Sequence, residues 1–360
     1  MGEGAVRPRT SVLKVVGINA ALLITVLLAT ELLFGWWLFG PKFGILHIPR
    51  NETRYFDVTG LYPGATTVRY VRDEYGFRGP YDDASRIDIL TVGGSTTNER
   101  MLAEETTWTG VLRARFAGEG TPKTVVNAGV EGQSTVGHLR NFELWFPLVP
   151  ELRPRIVVAY IGVNDVALEK AEYYDEMVSR DLMRRVRYYF LNNSAIYHLF
   201  RTLRGLQRAR DAQLAHGGGF ASVLEWVEAS RQPVPDASEP VYKDRLDAYG
   251  QRVRLLAERI RALGAVPAFV TQPRGDHRIR EGRIQIPKIV EPDSTIDQYV
   301  AITLFNRRLM ETCRALEAVC IDVAGGVAFG DGDFYDRVHT TPAGSKKIGD
   351  YLFAALKSRL

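Results

Sequence analysis

The stretch "ILTVGGSTTNER", residues 89–100, sets a serine directly after two glycines at the end of an apolar run. Ile89, Leu90, Thr91 and Val92 read as a short strand buried on both faces, because the run is continuous rather than alternating. Gly93 and Gly94 then permit either a positive φ or a close approach of neighbouring atoms. Taken alone, the stretch is either an ordinary strand-to-helix turn or a strand end that presents Ser95 as a nucleophile. A serine hydroxyl attacks only when a base takes its proton and donors receive the developing charge. The rest of the chain has to supply both.

Similar apolar runs recur along the chain as "DILTVGG", "KTVVNAGV", "RIVVAYIG", "AVPAFVTQP" and "VCIDV", separated by longer helical patterns. Between about residues 244 and 263, Leu246, Tyr249, Val253, Leu256 and Ile260 fall at spacings of three and four, which makes one apolar helix stripe. Buried strands alternating with helices predict an α/β fold: a three-layer α/β/α domain with a five-stranded parallel sheet. In such sheets ligands bind beyond the carboxyl ends of the strands. Three consecutive strands place distinctive groups at that edge. The first ends in Ser95, the second ("VVNAGVEGQST") runs out through Asn127 and Gly129 to Gly132, and the third ("VVAYIGVNDVAL") reaches Asn164 and Asp165. A backbone N–H and an Asn amide are suitable donors for an oxyanion.

The base is expected near the C-terminus. "FYDRVHTTPAGSKKIGDYL" holds Asp336 and His339 just ahead of a helix with Thr341 as its cap and Pro342 in its first turn. Imidazole can take the serine proton near neutral pH, and a carboxylate holds the ring in one tautomer. The other five histidines, at 47, 138, 198, 216 and 277, lack such a setting.

The four blocks "GGST", "NAGVEG", "GVND" and "DRVH", in that order, resemble those of the SGNH (GDSL-type) hydrolase family over roughly residues 88–357. The resemblance implies the family's flavodoxin-like fold, with Ser95 as nucleophile, His339 as general base and Asp336 as its orienting partner. It implies an oxyanion hole from Ser95, Gly132 and Asn164, with Gly132 preferred over Gly129 by the spacing from Asn127. Trp108 resembles the aromatic in the helix after the first block. Gly94 and Thr96 stand where the family name has Asp and Leu; the Gly-Gly-Ser-Thr form with "YGFRG" ahead of it is more similar to anchored bacterial members associated with surface glycans. The nucleophile elbow G-x-S-x-G does not fit, because Thr97 takes the last glycine position.

Outside these blocks, "VVGINAALLITVLLATELLFGWWLF" (15–39) is long enough to cross a bilayer. Arg7, Arg9 and Lys14 precede it and Trp36 and Trp37 close it, while Asn19 and Glu31 interrupt it. A retained anchor is expected; the rival is a cleaved signal, whose apolar core is usually shorter and ends at a small-residue site. The expected organisation is a cytoplasmic tail (1–14), the anchor (15–39), a lead-in (40–87) packed on the catalytic domain, and that domain (88–360) with a helical insertion at about 167–240. The domain is expected on the periplasmic or extracellular side of the cytoplasmic membrane. Cys313 and Cys320, seven apart, either pair in that oxidising compartment or leave Cys320 as a small buried hydrophobe.

The net charge of +4 is local: residues 180–210 hold eight Arg and one Asp, which leaves the rest at −3. Nucleic acid is therefore not an expected partner. The insertion is either a helical excursion with a solvated Arg face, a lid, or a surface resting on anionic lipid or polymer. No metal or cofactor is called for, since metalloprotease, paired C-x-x-C and phosphate-loop motifs are missing. The expected activity is a serine esterase acting on short acyl groups, most simply O-acetyl on glycans. The alternatives are an O-acyltransferase using the same acyl-serine and a non-catalytic glycan-binding or assembly factor.

Overall fold

The computed structural model describes residues 9–38, 43–168, 173–200, 225–288 and 292–360. An N-terminal helix, α1 (Arg9–Phe34), leads to an antiparallel hairpin of β1 (Glu52–Asp57) and β2 (Thr67–Arg72). The strands β3 (Ile89–Gly93), β4 (Val125–Asn127), β5 (Ile156–Tyr160), β7 (Val266–Val270) and β10 (Val319–Ile321) form a parallel sheet in the order β10-β7-β5-β3-β4. These are the five runs expected from the sequence. The order reverses at β3, whose Leu90 pairs with Val126 of β4 on one side and Val157 of β5 on the other.

Strand periodicity sorts the sheet residues into two cores. Leu90, Val92, Val126, Val157, Ala159 and Phe269 pack on one face with the long helices Pro235–Ala262 and Pro292–Ala315. Ile89, Val125, Ile156, Val158, Ala268 and Val270 pack on the other with Trp108, Leu112 and Phe116 of the helix Trp108–Gly118 and with Ile348 and Leu352 of the helix Pro342–Leu356. The stripe from Leu246 to Ile260 is buried as expected.

Several boundaries differ from expectation. The N-terminal helix spans Arg9–Phe34 rather than 15–39; it stops where Gly35 N–H bonds back to the Glu31 carbonyl and Trp36 N–H donates to the Asn193 carbonyl. The helix expected from about residue 244 begins at Pro235, with proline in its first turn, so it takes in the end of the expected insertion. The insertion is not wholly helical: after the helix Leu182–Asn193 comes strand β6 (Trp226–Glu228), which pairs with β9 (Arg283–Pro287), itself paired to β8 (Arg278–Arg280). That small antiparallel sheet joins two segments far apart in sequence, and no local pattern marks it. Residues 201–224, which include the end of the Arg-rich stretch and "HGGG", lie outside the described residues, as do residues 1–8. Of the two readings of the cysteines, pairing is the one observed, as a Cys313–Cys320 disulfide with Cα atoms 5.8 Å apart.

Leu90 is fully buried at the point where the sheet order reverses. Leu90→Ala is expected to cost about 2–5 kcal/mol, read as a lower urea midpoint at unchanged slope; a loss below about 1 kcal/mol would mean the sheet centre is not the core described.

Candidate active site

Ser95 opens a one-turn helix, Ser95–Asn98, directly beyond the carboxyl end of β3. Neither Gly93 nor Gly94 has a positive φ, so their value lies in close approach. A Cβ on Gly93 would overlap Thr97 Oγ1, and one on Gly94 would overlap Asn164 Nδ2. The single turn ends at Glu99, which is left-handed (φ 47°) and returns its N–H to the Ser95 carbonyl.

His339 is brought to Ser95 from 244 residues away, with Nε2 2.7 Å from Ser95 Oγ. Its Nδ1 lies 2.7 Å from Asp336 Oδ2. The other oxygen of Asp336 accepts the backbone N–H groups of Val338 and His339 at 2.8 and 2.7 Å, so the loop holds its own carboxylate in place. Thr341 caps the following helix through Gly344 N–H, with Pro342 in the first turn as the sequence indicated. The Tyr335 ring stacks on the imidazole, 5.6 Å between centroids and 8° between planes.

Asn164 follows β5 and donates Nδ2 to the Gln133 carbonyl at 2.7 Å, which sets its amide beside the Gly94 backbone. Gly132 occupies the preceding position in that loop with φ +72°, a conformation suited to glycine. Gly129 instead packs its Cα against the Ser95–Asn98 turn. Asn127 is a brace there: it accepts Gly129 N–H and donates to the Thr97 carbonyl. Asp165 turns away from Ser95, accepting from Thr135 and, at 3.2 Å, from Arg252. Burial raises its pKa to about 6 against the pull of those partners. Trp108 is buried with Nε1 donating to the Thr96 carbonyl. The expected residues Ser95, His339, Asp336, Gly132 and Asn164 therefore all come to the carboxyl edge of the sheet.

Other residues that hold this turn were not singled out from the sequence. Arg72 and Arg78, each 2% exposed, reach in from the lead-in. Arg72 donates to Asn98 Oδ1 and the Gly129 carbonyl, and Arg78 to the carbonyls of Asn98, Glu99 and Leu102 and to Glu104. Period-two spacing was the available signal, since it places Arg72 on the same strand face as Val68 and Tyr70. Glu99 accepts from Trp108 N–H, Thr340 Oγ1 and Ser345 Oγ and so ties the Ser95 turn to the residue after His339. Burial lifts its carboxyl to about 7 despite those bonds. Gln272, after β7, donates to Thr96 Oγ1 and the Tyr160 carbonyl and accepts Val163 N–H.

Ser95 and His339 open into a cleft of about 280 Å³ walled by Leu61 and Met101 on one side and by Arg100 and Glu131. The arrangement supplies an imidazole able to accept the Ser95 proton, a carboxylate to stabilise the imidazolium, and an amide beside the hydroxyl. Burial alone would lower the His339 pKa. The hydrogen bond and charge of Asp336, with further help from Glu131 and Glu99, outweigh it and hold the pKa above 6.5. Asp336 is held below its ordinary 3.8: burial opposes this, but the His339 contact and two backbone N–H groups prevail.

The model of the GDSL-like Lipase/Acylhydrolase family matches residues 88–347. The chain belongs to that family and is a hydrolase of the esterase/acylhydrolase type. Among solved structures, it is similar to Axe2, an acetylxylan esterase from Geobacillus stearothermophilus, at 13% identity over 74% of this chain and 93% of that one, with a TM-score of 0.42. It is also similar to the psychrotrophic esterase EstA from Pseudoalteromonas sp., at 14% identity over 75% and 96% of the two chains, with a TM-score of 0.37. No curated protein matches the chain by sequence.

In a histidine-selective NMR titration of the full chain, the His339 imidazole, assigned by its loss in His339→Gln, should titrate above 6.5. In Asp336→Asn the opposing burial is left dominant, so that value should fall. An unchanged value would mean that Asp336 does not set it.

Proposed function

We propose that this protein is a membrane-anchored serine esterase that removes short acyl groups, most simply acetyl, from glycans at the cell surface. The observation that carries the reading is the unbroken row Ser95–His339–Asp336, with both links at 2.7 Å, facing an open cleft. In this mechanism His339 Nε2 takes the Ser95 proton as Oγ attacks the acyl carbonyl. The oxyanion is received by the N–H groups of Ser95 and Gly132 and by the Asn164 amide. Collapse expels the sugar alcohol, which takes its proton from His339. Water, activated by the same imidazole, then releases the acid and restores Ser95. Because the neutral imidazole is the base and its pKa is raised, activity should grow with pH through an inflection above 6.5.

The cleft supports a small acyl group, being at the low end of ligand-site volumes. Arg100 and Glu131 at its wall suit a hydroxyl-rich leaving group, because together they offer donors and acceptors. Retention of α1 is supported by its length and apolar surface over Val12–Phe34 and by the contacts its last turn makes with the insertion. Thr25 and Thr30 return their hydroxyls to carbonyls one turn back, as polar groups in a bilayer must. Glu31 accepts from Ser194, Ala195 and Ile196 in the insertion, a contact that cleavage would remove. The disulfide supports placement outside the cytoplasm.

Labelling of the full chain with a fluorophosphonate should modify Ser95 alone and be lost in Ser95→Ala. On p-nitrophenyl acetate, Ser95→Ala should lose on the order of 10⁴-fold or more in kcat, and Asp336→Asn about 10⁴-fold. Asn164→Ala should lose about 10²–10³-fold. A fully active Asn164→Ala would remove the proposed oxyanion site, and labelling that survives Ser95→Ala would remove the nucleophile.

A further inference from the structure

Most of the helix Leu182–Asn193 is docked by one side, and its last turn also meets the end of α1. Tyr188 stacks on His47 at 4.5 Å, and Asn192 donates to the carbonyls of Gly44 and Leu46 while its own carbonyl accepts from Arg50. At about 100° per residue, Leu182, Met183, Val186, Tyr189 and Phe190 gather on the opposite side, in an arc about 120° wide. All five are exposed, from 42% at Val186 to 74% at Met183. Arg185 and Arg187, both exposed, lie one on each edge of that arc. An apolar stripe bordered by long cations is the pattern of a helix lying in a bilayer interface, where the stems cover apolar surface and the charges reach phosphate.

The position of this helix in the fold points the same way. Its last turn meets the end of α1: Trp36 N–H donates to the Asn193 carbonyl, and Trp37 packs edge-on against both Tyr189 and Phe190. Glu31, near the end of the apolar span, receives Trp37 Nε1 and caps the turn after the helix through Ser194 Oγ and two backbone N–H groups. That carboxylate is otherwise out of place in an apolar helix; here it pins the insertion where the chain leaves the span. Residues 12–29 of α1 are exposed throughout, so the Leu182–Asn193 helix does not run alongside it. Leu199 and Phe200, beyond the cap, add further exposed apolar surface.

We infer that the Leu182–Asn193 helix seats its Leu182–Val186–Phe190 stripe in the interface of an anionic bilayer, with Arg185 and Arg187 on lipid phosphates, and thereby holds the hydrolase domain close to the membrane. This rests on the reading that α1 crosses that membrane. The paired native cysteines leave single introduced thiols open to selective labelling. Full-length Val186→Cys, Ile24→Cys and Glu258→Cys, each carrying an environment-sensitive nitrobenzoxadiazole, are reconstituted in phosphatidylcholine vesicles with and without phosphatidylglycerol. Spin-labelled lipids quench from shallow or deep positions.

The expected result is deep quenching at Ile24, none at Glu258, and shallow quenching with a blue shift at Val186 that increases with phosphatidylglycerol. Exchanging Arg185 and Arg187 for Glu should return the Val186 signal to its phosphatidylcholine level. A water-like, unquenched Val186 beside a quenched Ile24 overturns the inference and leaves the anchor standing. An unquenched Ile24 removes the anchor itself, and the inference with it.

Discussion

The double pairing of β3 is the constraint on which the rest of the structure depends. One short strand lies between β4 and β5, and at that point the strand order reverses. Connections leave the sheet in opposite directions from such a point, which opens a crevice beyond the strand ends. Ser95 stands at the end of β3, the Gln133 carbonyl and Gly132 follow β4, and Asn164 follows β5, so the three lie around one crevice. Their register is set by fully buried apolar residues, for which a slip of one position would turn the core side chains to the wrong face.

The crevice is stiffened at the cost of buried charge. Arg72 and Arg78 sit almost wholly out of water beneath the Ser95 turn, where an unpaired guanidinium would be strongly destabilising. Arg78 donates to the Asn98 and Glu99 carbonyls that the four-residue helix leaves open, and to Leu102 and Glu104, while Arg72 donates to the Asn98 side chain and the Gly129 carbonyl. The lead-in is thus part of the site. Its Val58, Leu61 and Tyr62 also pack with Met101 and Tyr335, and Tyr335 stacks on His339. Glu99 performs the complementary task on the other side, linking the serine turn to Thr340 and the last helix. A serine on so short a helix has little rigidity of its own, and these contacts provide it.

Much of this was legible because it is local. Continuous apolar runs announced the strands, threonine before proline announced the last helix, and the glycines at 93 and 94 marked either a positive φ or a close approach next to Ser95. The lead-in arginines carry no local mark that separates them from solvated ones, apart from the face that Arg72 occupies on β2. Glu99 reads as an ordinary helix-end acid until its neighbours are known. The pairing of β6 with β9 spans residues 226–287, and Glu31 meets Ser194 across 163 positions.

By itself the sequence determined the α/β class, the five strands, the apolar N-terminal helix and the residues gathered at the carboxyl edge, because each follows from periodicity or a short motif. Only the tertiary structure decided that His339 Nε2 stands 2.7 Å from Ser95 Oγ, that two arginines lie buried beneath the serine, and that the carboxylate of Glu31 fastens the insertion to the helix end. Such facts depend on where distant segments come to rest. That is set by how the whole core packs and which buried polar groups find partners, and neither is written in any local stretch.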